Sequence, residues 1–185
     1  MQTTDVLMAG FGGQGMLLAG KVLAHAAMAE GKEVSWLPSY GPEMRGGTAN
    51  VTVCLSDQPI ASPLITAPCA LLVMNLPSLE KFAPRVRPGG VIVVNASLVE
   101  RDADRPDCTV IRVDARALAT DSGTSRAANF VMLGAYVGLT ASVAPESVED
   151  EISSEFKGPK AKHVPASVAA FRAGLAAGRR VESTI

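Results

Sequence analysis

Asp5-Val6-Leu7-Met8-Ala9-Gly10-Phe11-Gly12-Gly13-Gln14-Gly15 is the stretch that decides the fold. Val6 to Ala9 is an apolar run of strand length. Glycines follow at 10, 12, 13 and 15, and an apolar helical pattern runs on from Met16 to about Met28. Strand, glycine turn and helix form the opening unit of a doubly wound α/β domain. Gly10 is expected to reverse the chain after the strand, because glycine tolerates positive φ. Gly12 and Gly13 carry no Cβ, so backbone or ligand can come close. Free N–H groups and the dipole at the helix start suit a phosphate or carboxylate there. A tight strand–helix connection that binds nothing would use the same residues.

Gly10, Gly12 and Gly15 match the spacing of the dinucleotide fingerprint, but a further feature is missing. An Asp or Glu should follow ~20 residues on, at the end of the second strand, to hold the ribose hydroxyls. The second strand reads Glu33-Val34-Ser35-Trp36-Leu37 and leaves through Pro38-Ser39-Tyr40, with its one acid at the start. Gly15 to Val22 also imitates a P-loop. There the intervening residues are already helical, and Val22 stands where a magnesium-binding Ser or Thr is needed.

Composition narrows the rest. A chain of 185 residues fits one domain over 1–185. Apolar residues make up 48% and aromatic ones 4%, so the core is built from Ala, Val, Leu and Met. A net charge of −1 with no basic block argues against nucleic acid and membrane surfaces as partners. No apolar run reaches the length of a membrane span, and Asp5 stands where a signal peptide would be basic, so a cytoplasmic location is expected. Cys54, Cys69 and Cys108 form no C-x-x-C pair, which speaks against a disulfide scaffold or a metal or iron–sulfur site in this chain. Lys21 and His25 read as the solvated stripe of a buried first helix. No hydrolase triad is present, and no catalytic residue is assigned.

Ser39-Tyr40-Gly41-Pro42-Glu43-Met44-Arg45-Gly46-Gly47-Thr48 is a shaped loop rather than a helix. It falls at the carboxyl end of a strand, where open α/β sheets bind ligands. Its two charges, Glu43 and Arg45, either pin a surface loop or serve a site. Ala49 to Leu55 alternates as a one-sided strand. Ser56 to Pro59 then turns the chain, and Ile60 to Pro63 is expected to return as a short edge segment. Further strands are expected over 69–74, 91–94 and 109–113, and helices over 78–86, from Asp114 through 120, over 127–139, from Pro145 and from Pro165. Phe156 to Lys162 reads as a basic loop. Gly134 and Gly138 lie one turn apart, which allows another backbone to pack closely.

Several of these stretches together resemble a known family. They are Gly10 to Gly15, Pro38 to Gly47, Ser56-Asp57 with Ser62-Pro63, Arg87-Pro88-Gly89-Gly90, and Asn129 with Leu133-Gly134-Ala135. They look like the gamma subunit of 2-oxoacid:ferredoxin oxidoreductases, and the Ser-Tyr-Gly-Pro-Glu-x-Arg-Gly-Gly stretch is the specific part. The resemblance implies a single Rossmann-like, doubly wound α/β domain. Its sheet is mostly parallel, with helices on both faces and an antiparallel excursion. It implies a complex that turns a 2-oxoacid (2-oxoisovalerate or 2-oxoglutarate) and coenzyme A into acyl-CoA and carbon dioxide, with electrons passed to ferredoxin. Thiamine diphosphate, magnesium and iron–sulfur clusters would sit on alpha, beta and ferredoxin-like delta subunits. This chain alone would hold no cofactor, but would help form the coenzyme A pocket and could form a homodimer when isolated. The residues expected at that pocket are Gly12, Gly13, Gln14, Gly15, Tyr40, Gly41, Glu43, Arg45, Gly46 and Gly47. A stand-alone nucleotide-binding oxidoreductase and a purely structural subunit remain as alternatives.

Overall fold

A computed structural model describes residues 3–40 and 48–182 of the chain. Six strands form one sheet. They are β1 (Thr3–Phe11), β2 (Glu33–Tyr40), β3 (Thr48–Ser56), β4 (Ala70–Val73), β5 (Val91–Asn95) and β6 (Thr109–Val113), in the order β2-β3-β1-β4-β5-β6. The β1-β4-β5-β6 run is parallel, and β3 is antiparallel to both β1 and β2. The antiparallel strand is thus inserted between the first two strands, not added at an edge. The expected edge strand at Ile60 to Pro63 does not form; the described chain from 57 to 69 carries no regular element. Pro59 and Pro63 lack the N–H that a strand ladder needs. The second strand instead runs three residues past Leu37, to Tyr40. Pro38 is tolerated there because β2 is the edge of the sheet.

Helices cover both faces unevenly. On one face lie α1 (Met16–Ala29), α3 (Ala115–Asp121), α4 (Ala128–Thr140), α5 (Pro145–Glu155) and α6 (Val164–Glu182). Val6, Met8, Val51, Val53 and Leu72 meet them from the sheet. On the other face α2 (Leu76–Phe82) and the chain near Val99 cover Leu7, Ala9, Leu71 and Val73. Strand alternation divides β1 cleanly, with even-numbered residues toward α1 and odd ones toward α2. Helix α2 starts two residues earlier than its sequence suggests, because the Asn75 side chain accepts the Ser78 N–H at 2.8 Å and caps it. Asp114 caps α3 in the same way, through the Ala117 N–H at 3.0 Å. The basic loop before α6 is largely a 3₁₀ turn, Gly158–His163.

Lys21 and His25 do face solvent in part, and both find acids on α5. Lys21 Nζ lies 2.8 Å from Glu155, and His25 Nδ1 lies 2.8 Å from Glu151. The closest packing is between α4 and α6. A Cβ on Gly134 would overlap the Phe171 carbonyl, and one on Gly138 the Leu175 carbonyl. From the other side, Gly174 faces Val131 and Gly178 faces Ala135 in the same way. Four glycines, paired at i and i+4 on each helix, therefore bring two backbones into direct contact. No described helix is long and apolar enough to cross a membrane.

Candidate functional site

The chain runs from β1 through α1 to β2 on one side, and β4 lies on the other. The carboxyl ends of β1 and β4 therefore flank the switch point of the sheet, where open α/β folds bind ligands. The glycine turn stands there. Gln14 N–H donates to the Phe11 carbonyl at 3.1 Å, and Gln14 Oε1 accepts the Phe11 N–H at 2.6 Å. Gln14 Nε2 reaches across to the Met74 carbonyl at 3.4 Å. Gln14 is therefore a brace between the ends of β1 and β4. Positive φ falls at Gly13 (96°) and Gly15 (80°). Gly10, expected to make the reversal, stays inside β1 without positive φ. Its small size is needed because a Cβ would lie 2.6 Å from Gln14 Oε1 and 3.0 Å from Met74 Cβ.

A cavity of about 270 Å³ opens beside the turn, against Met74, Asn95, Arg116 and Arg126. Asn95 Oδ1 accepts the Ser97 N–H at 3.1 Å. Ser97 Oγ donates to Asp114 at 2.5 Å and accepts the Arg116 N–H at 2.9 Å. The Ser97 hydroxyl first, and the Ala117 N–H second, hold the Asp114 carboxyl below the usual carboxylate range, with Arg116 adding a smaller pull. Arg116 is thus partly balanced by Asp114, while the Arg126 guanidinium bonds to no described residue. The Gly13–Gln14 backbone and two guanidinium groups can hold a phosphate there. They supply no nucleophile. Burial pushes the Cys54 thiol up to about 11 and raises Cys69 as well, so neither is a ready thiolate. Both lie beside the buried Asp5 at the opposite end of the sheet, where Asp5 Oδ2 accepts from Arg87 at 2.7 Å.

Of the residues expected at the site, Gly12, Gly13, Gln14 and Gly15 form this turn. Tyr40 ends β2. Gly41, Glu43, Arg45, Gly46 and Gly47 lie outside the described residues. The strand register still shows where their segment is anchored. Tyr40 pairs with Ala49, Ala49 pairs with Gly10, and Thr48 pairs with Phe11. Tyr40 and Thr48, which flank the undescribed residues, therefore lie at the same end of the sheet as the glycine turn. Arg116, Arg126, Asn95 and Met74 were not singled out from sequence as site residues. They come from four separate elements, and only the sheet order brings them together.

A family model described as pyruvate ferredoxin/flavodoxin oxidoreductase matches residues 5–177. The chain belongs to this family. Among curated members, it is 41% identical over 154 residues to the ketoisovalerate oxidoreductase subunit VorA of Methanothermobacter marburgensis, covering 83% of this chain and 32% of VorA. It thus spans about a third of that relative's length. The 2-oxoglutarate synthase subunit KorC of Methanocaldococcus jannaschii is 36% identical over 164 residues, covering 86% of this chain and 88% of KorC. The keto/oxoacid ferredoxin oxidoreductase gamma subunit of Geobacter sulfurreducens superposes with a TM-score of 0.82 at 31% identity, covering 96% of this chain and 99% of that one. This family member therefore matches separate gamma-type subunits over nearly their whole length. The fold is also shared, at a TM-score of 0.87 and 21% identity, with 97% of this chain and 32% of that one, by the 2-oxoglutarate:ferredoxin oxidoreductase of Magnetococcus marinus, solved with 2-oxoglutarate, coenzyme A and succinyl-CoA bound.

Proposed function

We propose that this chain, folded as one domain over 1–185, is the gamma subunit of a thiamine diphosphate-dependent 2-oxoacid:ferredoxin oxidoreductase. The reaction joins a 2-oxoacid and coenzyme A to give acyl-CoA and carbon dioxide, with two electrons passed to ferredoxin and one proton released. The substrate is a branched-chain 2-oxoacid or 2-oxoglutarate, in keeping with the names of the relatives VorA and KorC. The chain works in the cytoplasm with alpha, beta and delta subunits, and the isolated chain can pair with a second copy. Thiamine diphosphate supplies the carbanion chemistry, and iron–sulfur clusters take the electrons, both on partner subunits. The described residues hold no group of three or more potential metal ligands, so they do not fit a cluster or a bound metal.

Coenzyme A does fit. Its phosphates match the glycine turn, where Gly13 and Gln14 line the switch-point cavity together with Arg116 and Arg126. That convergence is the observation that carries the reading; Arg45, outside the described residues, is proposed from the sequence as a further cation. In the assembled complex, Arg45→Ala and Arg116→Ala should each weaken coenzyme A use by roughly 1.5–3 kcal/mol, the range for a hydrogen bond to a charged group. Decarboxylation of the 2-oxoacid without coenzyme A should change little. An unchanged Michaelis constant for coenzyme A in both variants would rule out the phosphate role. Equal loss in both assays would indicate a subunit that only holds the complex together.

A further inference from the structure

A second cavity, of about 350 Å³, lies on the other side of the glycine turn, beneath the starts of three helices. Helices α1, α4 and α6 have 14, 13 and 19 residues. The caps of α1 and α4 are Gly15 and Ala127, and neither supplies a side-chain acceptor. The α1 start thus has no side-chain cap, whereas α4 runs on from a 3₁₀ turn, Ser125–Ala127, that the Thr124 hydroxyl caps by accepting the Arg126 N–H.

Helix starts alone do not make a site, and here two buried side chains add to them. Ser167, in the first turn of α6, is 3% exposed, lines the cavity and makes no hydrogen bond with any described residue. Asn129, in the first turn of α4, is also 3% exposed. It gives its Nδ2 to the Gly15 carbonyl at 3.1 Å and leaves Oδ1 without a described partner. The Ser167 hydroxyl opens on the cavity, where it can donate to a group that enters.

The rest of the lining sets the chemistry. Arg126 and Lys160 stand at the rim, their side chains bonded to no described residue, and no carboxylate lines the cavity. The floor is apolar. Leu18 and Phe130 form it, with Phe156 set edge-on to Phe130 at 6.1 Å between ring centroids. At Gly13 an added Cβ would meet nothing within 4 Å, so the backbone there is open to an incoming group. One end of the cavity offers cations, N–H groups and a hydroxyl; the other offers aromatic and aliphatic carbon. The volume suits a compact molecule.

We propose that this cavity binds a phosphomonoester carrying a small apolar or aromatic body, and that the chain does so without its partner subunits. Ser167 Oγ donates to the phosphate, Arg126 and Lys160 balance its charge, and Phe130 and Phe156 pack on the body. This goes beyond the coenzyme A reading: the cavity shares Gly13, Gln14 and Arg126 with the one beside Arg116, but Ser167, Lys160 and the two phenylalanines belong to it alone.

The test is a nuclear magnetic resonance titration of the full isolated chain with phenyl phosphate, beside benzyl alcohol as the uncharged body and inorganic phosphate as the charge alone. Phenyl phosphate should shift the amides of Gly13, Gly15, Asn129 and Ser167 to saturation and bind more tightly than either fragment. Ser167→Ala and Arg126→Gln should each weaken it by roughly tenfold, the loss of one charge-assisted hydrogen bond. Arg126 is exposed, so its variant tests the site even if Ser167→Ala alters the fold. Coenzyme A and dephospho-coenzyme A as competitors separate the sources. Competition by coenzyme A only assigns the phosphate to the cofactor, and competition by neither assigns it to a free phosphomonoester. Absence of shifts at those amides, or equal affinity in wild type and both variants, would overturn the proposal. Such a failure leaves the coenzyme A reading untouched, because that is read in the assembled complex through Arg116, which does not line this cavity.

Discussion

Asn129 Nδ2 donates to the Gly15 carbonyl at 3.1 Å, and a Cβ added to Gly15 would fall 2.8 Å from that same nitrogen. The start of α4 is thereby pinned to the glycine turn across 114 residues of sequence. Gly15 is held to glycine twice, by its φ of 80° and by the amide above it. Gly15→Ala should cost roughly 2–4 kcal/mol, left-handed strain plus overpacking. Asn129→Ala should cost about 1 kcal/mol for the lost hydrogen bond, somewhat more with the space it leaves. The double variant should be less damaged than the sum, because the first clash loses its obstacle. Additive losses in urea unfolding would show that the two residues do not share one constraint.

Gly134→Leu should destabilise the fold by about 3 kcal/mol or more, the upper end of overpacking costs. The obstacle is the Phe171 carbonyl, part of a helix backbone, and no rotamer change can clear it. A variant with normal unfolding and normal assembly would show that α4 and α6 can separate freely.

Tyr136 lies wholly inside the core, and burial pushes its phenol up to about 12. The raised value means that the folded state keeps a proton which the unfolded chain gives up near pH 10. The contribution is complete below pH 10 and is lost as the pH rises to 12, by roughly 3 kcal/mol in all. Urea unfolding across that window should show the loss, and Tyr136→Phe should remove it. An identical slope in the phenylalanine variant would sink the assignment.

The purified chain should bind neither NAD nor NADP tightly. A dinucleotide site needs a carboxylate at the carboxyl end of the strand beside β1. On the α1–β2 side that neighbour is β3, which runs the other way, so its start, Thr48, meets Phe11. A calorimetric dissociation constant in the low micromolar range would contradict this.

Much of the fold is legible in local sequence. Thr109–Val113 is a strand to the residue, because β-branched side chains fill all of it but Arg112 between clear breaks. Asp114 caps α3 as its position suggests, and Pro145 opens α5. Ile60 to Pro63 misleads because an apolar run says nothing about whether a neighbouring strand is free to pair with it. The place of β3 between β1 and β2 is a long-range choice that no window of sequence contains.

The site is half legible. Gly12 to Gly15 announce themselves through spacing. Arg116, Arg126 and Ser167 do not, since each is an ordinary residue of a turn or a first helical turn. Asn129 lies in one of the stretches that carry the sequence resemblance, but its bond to Gly15 is a tertiary fact. Basic residues before α6 are visible as a charged run. Their relation to the glycine turn depends on how closely α6 lies on α4.

That closeness has a consequence for how the molecule can vary. Side-chain interfaces drift gradually in evolution, because a methyl lost on one side can be regained on the other. A seam of four glycines offers no such trade, since its spacing is backbone against backbone. Asn129 and Ser167 sit at the leading ends of the two helices that the seam joins. The gauge of the opening between them is therefore set by a part with no adjustable tolerance.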